Sequence, residues 1–301
     1  MKFSTMRCCV LLVSLALLPL GMAADSIGSY CSGSRYAGSN KAVTSINSVL
    51  ADLVATASTG GGYATSTAGK GNNIIYGLAQ CRGDVSASDC AACLADAAKQ
   101  LPSTCSYSSD ARIWYVYILH ACGCIYVYMY TCVQLLSKLT YIHAYACRYD
   151  YCFMRYENAD FFGQADTGAG VILVNVQAMD NPKAFEKAVG KVIGKATAQA
   201  SAAGSAGLGR DKDQYTPFVS IYGLAQCTRD LAPLTCAQCL STAVSRFGDY
   251  CGAQQGCQIN YSSCRVRYEI YPFYFPLAGN GGAGGRATTD MTKNTKIVVH
   301  P

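Results

Sequence analysis

The sequence predicts an α+β protein of two tandem units, and three observations carry that expectation. The string "IYGLAQC" occurs twice, at residues 75–81 and 221–227, and each copy opens the same cysteine frame. A stretch with helical apolar spacing precedes each copy, and alternating apolar and polar runs that read as neighbouring strands follow it. Helices set on one face of an antiparallel sheet give α+β units of roughly 100 residues, and a 301-residue chain accommodates two.

The chain opens with Lys2 and Arg7, an apolar run from Cys8 to Leu20, and small residues at Gly21, Ala23 and Ala24. That is the pattern of a secretory signal occupying residues 1–24 and cleaved near Ala23 or Ala24. The apolar run is too short for a hydrocarbon core that needs about 20 apolar residues. Secretion makes disulfides the default state of the 18 cysteines. The formal net charge is +6, but Lys2 and Arg7 belong to the signal, and Lys138 and Arg148 to a segment set apart below. What remains is 20 basic against 18 acidic residues, without the concentrated basic footprint that nucleic-acid binding requires.

The first unit begins with "SNKAVTSINSVLADLVATAS", in which Val43, Ile46, Val49, Leu50, Leu53 and Val54 recur at three and four residues, with Ser39 or Asn40 as cap. The second unit offers "NPKAFEKAVGKVIGKATAQA", with Asn181 as cap, Pro182 at the first helical position, and Phe185, Val189, Val192 and Ile193 on one side. A second helix in each unit is expected to start near Ser88 and near Pro233. Cys90 and Cys93, like Cys236 and Cys239, then share a helix face, so that one cysteine reaches backward and the other forward. "CQINYSSCRVRYEIY" reads as two adjacent antiparallel strands. The expected boundaries are residues 25–161 for the first domain, 162–168 for a Gly-bearing linker, 169–276 for the second domain and 277–301 for a tail without fold.

The two frames agree except at one interval. Both read C-x8-C-x2-C from Cys81 and Cys227, both place a cysteine twelve residues later (Cys105, Cys251), and both end on a cysteine five residues before the Glu of "RYE". Yet Cys239 to Cys264 spans 25 residues, whereas Cys93 to Cys152 spans 59. Removing residues 115–148 restores the shorter spacing and leaves "ARIWYDYCFMRYE". The removed segment holds Cys122, Cys124, Cys132, Cys147, His120, His143 and seven of the 22 tyrosines. It reads as an intron retained in frame. Trp-Tyr-Val is encoded TGG TAY GTN, which contains a GT donor, and Cys-Arg can be written TGC AGG, which supplies an AG acceptor. Two other readings are weaker. A membrane span from Ile113 to Leu136 would put Cys105 and Cys152 on opposite sides of a bilayer. A zinc site lacks the paired C-x2-C and H-x3-H spacing.

Y-G-L-A-Q-C-x8-C-x2-C with a later cysteine and R-Y-E resembles the ginkbilobin-like (stress-antifungal) domain of plant cysteine-rich repeat secretory proteins and of cysteine-rich receptor-like kinases. The likeness runs twice through almost all of residues 25–276. It implies two helices on a five-stranded antiparallel sheet in each unit. It also implies the bridges Cys31–Cys105, Cys81–Cys90 and Cys93–Cys152 in the first unit, and Cys227–Cys236 and Cys239–Cys264 in the second, with Cys251 left to pair with Cys257. Defence or stress signalling in the apoplast is the role that the resemblance implies.

No catalytic set emerges from the sequence. Outside residues 115–148 the only histidine is His300, and the implied pairing leaves no free thiol. No cofactor, metal or stable membrane insertion is expected. In the founding antifungal member an Asn, an Arg and a Glu bind mannose, and the corresponding positions here are Ser32, Arg112 and Glu157. A guanidinium and a carboxylate suit sugar hydroxyls, whereas Ser32 is shorter than Asn. In the second unit Gln258 replaces the Arg and Glu269 remains. The competing reading of Arg112 and Glu157 is an exposed cross-strand ion pair. Asn260, in "NYS", heads the one glycosylation sequon. Two partner classes follow, a mannose-containing glycan and a cell-surface protein, the second matching the alternative reading of the chain as a protein-interaction module or a truncated ectodomain of a cysteine-rich receptor-like kinase, whose approach to a membrane span "TKNTKIVVHP" resembles. If residues 115–148 are present, they are expected to interrupt the strand that holds Arg112 beside Glu157.

Overall fold

The computed structural model describes residues 23–36, 40–119, 147–275 and 295–300. Signal residues 1–22, the cap candidate Ser39, and Cys122, Cys124, Cys132, His120 and His143 lie outside them.

The first lobe begins with β1 (Ala23–Arg35) and α1 (Asn40–Thr59), followed by β2 (Tyr63–Ala68), β3 (Ile75–Cys81), α2 (Ala87–Thr104), β4 (Ser108–Leu119) and β5 (Cys147–Glu157). The second repeats the plan with β6 (Gly170–Asn175), α3 (Pro182–Ala200), β7 (Leu208–Thr216), β8 (Val219–Cys227), α4 (Pro233–Ser245), the short α5 (Phe247–Tyr250), β9 (Gly256–Tyr261) and β10 (Cys264–Glu269). The first sheet runs β1-β4-β5-β3-β2, and the corresponding strands of the second run β6-β9-β10-β8-β7. The strand order is thus the same in both lobes, and all pairings are antiparallel.

Helix α1 buries Ile46, Val49, Leu50 and Leu53, and α3 buries Phe185, Val189, Val192 and Ile193, each against its own sheet. Asn181 caps α3 by accepting the Ala184 N–H, and Pro182 stands at its start. In α2 the cap is Ser86, whose Oγ accepts the Asp89 N–H at 3.1 Å, so the helix starts slightly before the expected Ser88. Gly77 faces α1 so closely that a Cβ there would lie 2.2 Å from a Val49 methyl, which explains the glycine in the repeated string.

Six disulfides join Cys31–Cys105, Cys81–Cys90, Cys93–Cys152, Cys227–Cys236, Cys239–Cys264 and Cys251–Cys257. On α2, Cys90 reaches back to β3 and Cys93 forward to β5, and α4 repeats this with Cys236 and Cys239. Helix and sheet are therefore stapled from both directions.

Two expectations need correction. The tail is not without fold throughout: residues 295–300 form β11 (Thr295–His300), which pairs antiparallel with β6 and makes the second sheet six-stranded. Its Ile-Val-Val run suits a strand, and that local signal outweighs the Gly-rich composition before it. Nor does the extra segment interrupt the strands around Arg112. It enters at the tip of the β4–β5 hairpin. Trp114 pairs with Phe153 as Asn260 pairs with Arg265 in the other lobe, and beyond Tyr115 the two strands simply continue, after a bulge, to Leu119 and Cys147.

The sheet faces turned away from the helices meet each other, giving four layers in the order helix, sheet, sheet, helix. Ile27, Leu78, Trp114, Phe153, Phe161 and Val171 form the apolar core of that contact.

Candidate functional site

The contact between the lobes is held by groups that recur in both repeats. Gln80 Nε2 donates to the Cys227 carbonyl at 2.9 Å, and Gln226 Nε2 to the Cys81 carbonyl at 3.1 Å. These are the same glutamine of "YGLAQC" and the same cysteine carbonyl, exchanged between lobes. Three residues after each of those cysteines stands an aspartate, and it too is used reciprocally. The Phe275 N–H, from the segment after β10, donates to Asp84 Oδ2 at 2.6 Å, and the Gly163 N–H, from the segment after β5, donates to Asp230 Oδ2 at 2.8 Å. β5 and β10 each therefore run on into a strap across the other lobe. Asp84 is further fixed by Arg82, whose Nε lies 2.5 Å from Oδ1, and both side chains are 0% exposed. On the other side, Tyr63 is pushed up to about 12 by burial and then by the charge of Asp230, which keeps its hydroxyl neutral.

A second recurrent unit is R-Y-E-x3-F. Arg155 donates to Glu157 Oε2 at 2.6 Å and stacks on Phe161 with its guanidinium 3.7 Å from the ring centroid. Arg267 donates to Glu269 Oε1 at 3.0 Å and stacks on Phe273 at 4.2 Å. In both lobes the guanidinium is clamped between a carboxylate and an aromatic face.

The candidate sugar site lies beside the first of these clamps. Ser32 on β1 stands opposite Asp110 on β4, and Asp110 stands opposite Glu157 on β5; Arg112 stands opposite Arg155. The structure therefore brings Ser32, Arg112 and Glu157 to one face of the sheet, but that face is turned toward the second lobe. Arg112 donates through Nε and Nη2 to the Asp110 carboxylate at 3.0 and 2.8 Å, and through Nη1 to Asp166 at 2.6 Å and Ser262 Oγ at 2.7 Å. Four of the five N–H groups of a guanidinium are thereby engaged. Glu157 comes no nearer to Arg112 than 3.9 Å and gives its short contact to Arg155. The exposed cross-strand ion pair is corrected accordingly: the Arg112 side chain is only 7% exposed, and its close partners are Asp110 and Asp166.

Two guanidinium groups directly across a strand pair repel, and three carboxylates offset them. Burial works to lower the pKa of Arg112, but Asp110, Asp166 and Glu157 outweigh it and leave that pKa raised. Arg155 is lowered, first by burial and then by the charge of Arg112. Asp166 is the pivot of the cluster. It comes from the connector between the lobes, lies 3.3 Å from Arg155 Nη2, and is anchored by its own N–H donating to Ser263 Oγ at 2.9 Å. In the second lobe Gly256 and Gln258 occupy the positions of Asp110 and Arg112, so that lobe keeps its clamp without the neighbouring pair.

The sequon does not mark an accessible site. Asn260 is 1% exposed in the middle of β9, its Nδ2 donates to the Val171 carbonyl at 3.2 Å, and its Oδ1 accepts from Gln258 at 2.8 Å. A glycan on Nδ2 would replace one of its two N–H groups and put a bulky sugar where the side chain is almost fully enclosed. This burial argues against a glycan on Asn260. Secreted protein treated with an N-glycosidase is expected to show no mass change, measured on the intact chain.

Sequence reasoning overlooked the glutamines Gln80 and Gln226, the aspartates Asp84 and Asp230, and the aromatic ends of the clamps, Phe161 and Phe273. A signal for all of them was present, since each recurs at the same offset from "YGLAQC" or "RYE" in both units. Among the described residues no group of three or more His, Cys, Asp or Glu side chains could hold a metal ion, and no helix is long and apolar enough to cross a membrane.

Comparison with known proteins agrees with this architecture. The family model described as salt stress response/antifungal matches residues 30–131 and again 174–271. Cysteine-rich repeat secretory protein 55 of Arabidopsis thaliana is 40% identical over 296 residues, covering 96% of this chain and 98% of the relative. An antimicrobial ginkbilobin-2-like protein of Castanea crenata is 33% identical, covering 87% of this chain and 94% of the relative. The tandem DUF26 ectodomain of the cysteine-rich receptor-like protein PDLP8 from Arabidopsis thaliana shares the fold with a TM-score of 0.61 at 23% identity, over 81% of this chain and 98% of that one. With the family matched once in each lobe and relatives aligned along nearly their whole length, the chain belongs to the salt stress response/antifungal family of cysteine-rich secretory proteins.

Proposed function

We propose that the chain is a secreted, non-enzymatic binding protein of the plant apoplast that acts in defence or stress response by recognising a cell-surface protein, and that Arg112 does not serve as a mannose receptor. The observation carrying this reading is the engagement of four of the five Arg112 N–H groups by Asp110, Asp166 and Ser262 at 7% side-chain exposure. A sugar hydroxyl at that guanidinium would have to displace a charge-assisted bond to the protein's own carboxylates, which are stronger acceptors than it is. The bridging of all twelve cysteines of the two frames removes their thiols as nucleophiles. A cysteine-rich receptor-like protein kinase of Arabidopsis thaliana is 29% identical over 79% of this chain, although the match spans only 31% of that relative. That likeness favours protein recognition at a cell surface. Labelled protein is expected to bind plant protoplasts saturably, to lose binding after surface proteolysis, and to ignore excess mannose. A mannose binding isotherm that Arg112→Ala abolishes would overturn the proposal.

Residues 115–148, in the same reading, are a retained intron and not part of the working domain. The position of the segment at a hairpin tip, with Trp114 and Phe153 in the register of the other lobe, supports this. A chain in which Trp114 is joined directly to Tyr149 is expected to fold with the Cys93–Cys152 bridge intact, as read by non-reducing peptide mapping. Misplaced bridges in that shortened chain, alongside correct ones in the full chain, would make the segment an integral part of the fold.

A further inference from the structure

Beyond ligand recognition, the second sheet carries an edge that the fold takes care to cover. Sheet edges expose unpaired N–H and C=O groups and invite pairing with another chain unless charge, bulges or a covering segment prevent it. The other edges are guarded. β7 carries Arg210, Asp211, Lys212 and Asp213, β1 is broken by two register shifts, and β2 carries the polar run Thr65, Ser66 and Thr67 and ends near Lys70. Strand β6, "GVILVN", has no charge, no proline and no register shift against β9. It is covered by β11, which pairs with it residue for residue from Thr295 opposite Asn175 to His300 opposite Gly170. Nineteen residues, 276–294, separate Phe275 from the covering strand, a length that reaches at most about 65 Å when fully extended.

We propose that β11 is a detachable cover, and that the β6 edge beneath it is a self-association surface whose occupant, once β11 is released, is β6 of a second copy of this chain. Two β6 strands running antiparallel across a twofold axis join the second sheets of two molecules into one continuous sheet. The contact is isologous, so it closes at a dimer. The uncharged, β-branched sequence of β6 is self-complementary in that arrangement, because neither copy brings a like charge to the seam. While β11 is attached it holds the advantage, since a tethered strand competes at an effective concentration in the millimolar range. Cleavage between residues 275 and 295 removes that advantage and converts a monomer into a dimer-forming species.

The test compares the full chain with a chain ending at Phe275 by size-exclusion chromatography with light scattering at tens of micromolar. The full chain is expected to run as a monomer and the shortened chain at twice its mass. A synthetic peptide of residues 293–301 is expected to return the shortened chain to a monomer. If the shortened chain does not fold, full-length Val298→Pro, which puts in the middle of β11 a residue that strand interiors tolerate poorly, takes its place with the same readouts. Hydrogen exchange supplies the second measurement, with β6 amides protected at least tenfold more in the full chain than in a monomeric fraction of the variant. A monomeric variant, a dimer indifferent to the peptide, a full chain that is already dimeric, or β6 amides that exchange equally in both would each overturn the proposal.

Discussion

Asp84→Ala is expected to lower the stability of the folded chain by about 3–5 kcal/mol, the range found when one partner of a buried ion pair is removed. The Arg82 and Asp84 side chains are both completely buried, so the alanine variant takes the carboxylate away from a guanidinium in a dry site. The same carboxylate accepts the Phe275 N–H at 2.6 Å, and Arg82 lies over the Phe275 ring at 5.5 Å, so the strap from the second lobe loosens as well. Asp230→Ala, at the corresponding position of the second repeat, is expected to cost only about 1 kcal/mol, the worth of one hydrogen bond. There the residue is partly exposed, and Thr228 stands where the first repeat has Arg82. Denaturant titration of the two variants checks the contrast. A double variant, Arg82→Met with Asp84→Leu, is expected to recover most of the loss, because it removes both charges together. A cost below about 1 kcal/mol for Asp84→Ala, or no recovery in the double variant, would show that the pair is not the anchor of the strap.

Much of the fold was legible because the chain states it twice. The helical spacing of Ile46, Val49 and Leu53 and of Phe185, Val189 and Val192 marks the faces that α1 and α3 bury. The three-residue spacing of Cys90 and Cys93 anticipates bridges running in opposite directions from one helix. The packing of one lobe on the other was not legible. Periodicity reports that a strand has two faces, but it does not tell whether a face carrying Arg112, Arg155 and Gln80 meets water or another sheet. A buried Arg on a strand looks like a solvated one until its carboxylates are found, and Asp166 lies 54 residues away from Arg112 in a connector that composition alone marks as a linker. Asn260 illustrates the same limit. The sequon is a local pattern, and its meaning is reversed by a tertiary contact with Val171, 89 residues away. β11 failed for another reason, since six residues with strand propensity carry little weight beside a Gly-rich stretch until a partner edge is known.

The two arginine clamps give the second large effect, and they separate repeat position from environment. Glu269→Gln is expected to cost roughly 3 kcal/mol, at the lower end for a broken buried pair, whereas Glu157→Gln is expected to cost about 1 kcal/mol, in the range of a single net hydrogen bond. The two glutamates occupy the same place in R-Y-E-x3-F, and each gives a short contact to the arginine two residues earlier. Their surroundings differ. Glu269 has a 5% exposed side chain, and its carboxylate sits over Gly256, where a Cβ would come within 1.8 Å of Oε2. Glu157 is 22% exposed, and Arg155 keeps Asp166 at 3.3 Å when Glu157 loses its charge. Neutralising Glu269 takes the charge of a close carboxylate away from Arg267 in a dry site, while neutralising Glu157 leaves a cluster in which two other carboxylates still balance two guanidinium groups. The asymmetry should survive high salt, because the difference arises from burial and not from long-range screening. Equal losses for the two variants in denaturant titrations would mean that the clamp acts through its hydrogen-bond geometry alone, and that Asp166 contributes nothing to holding Arg155.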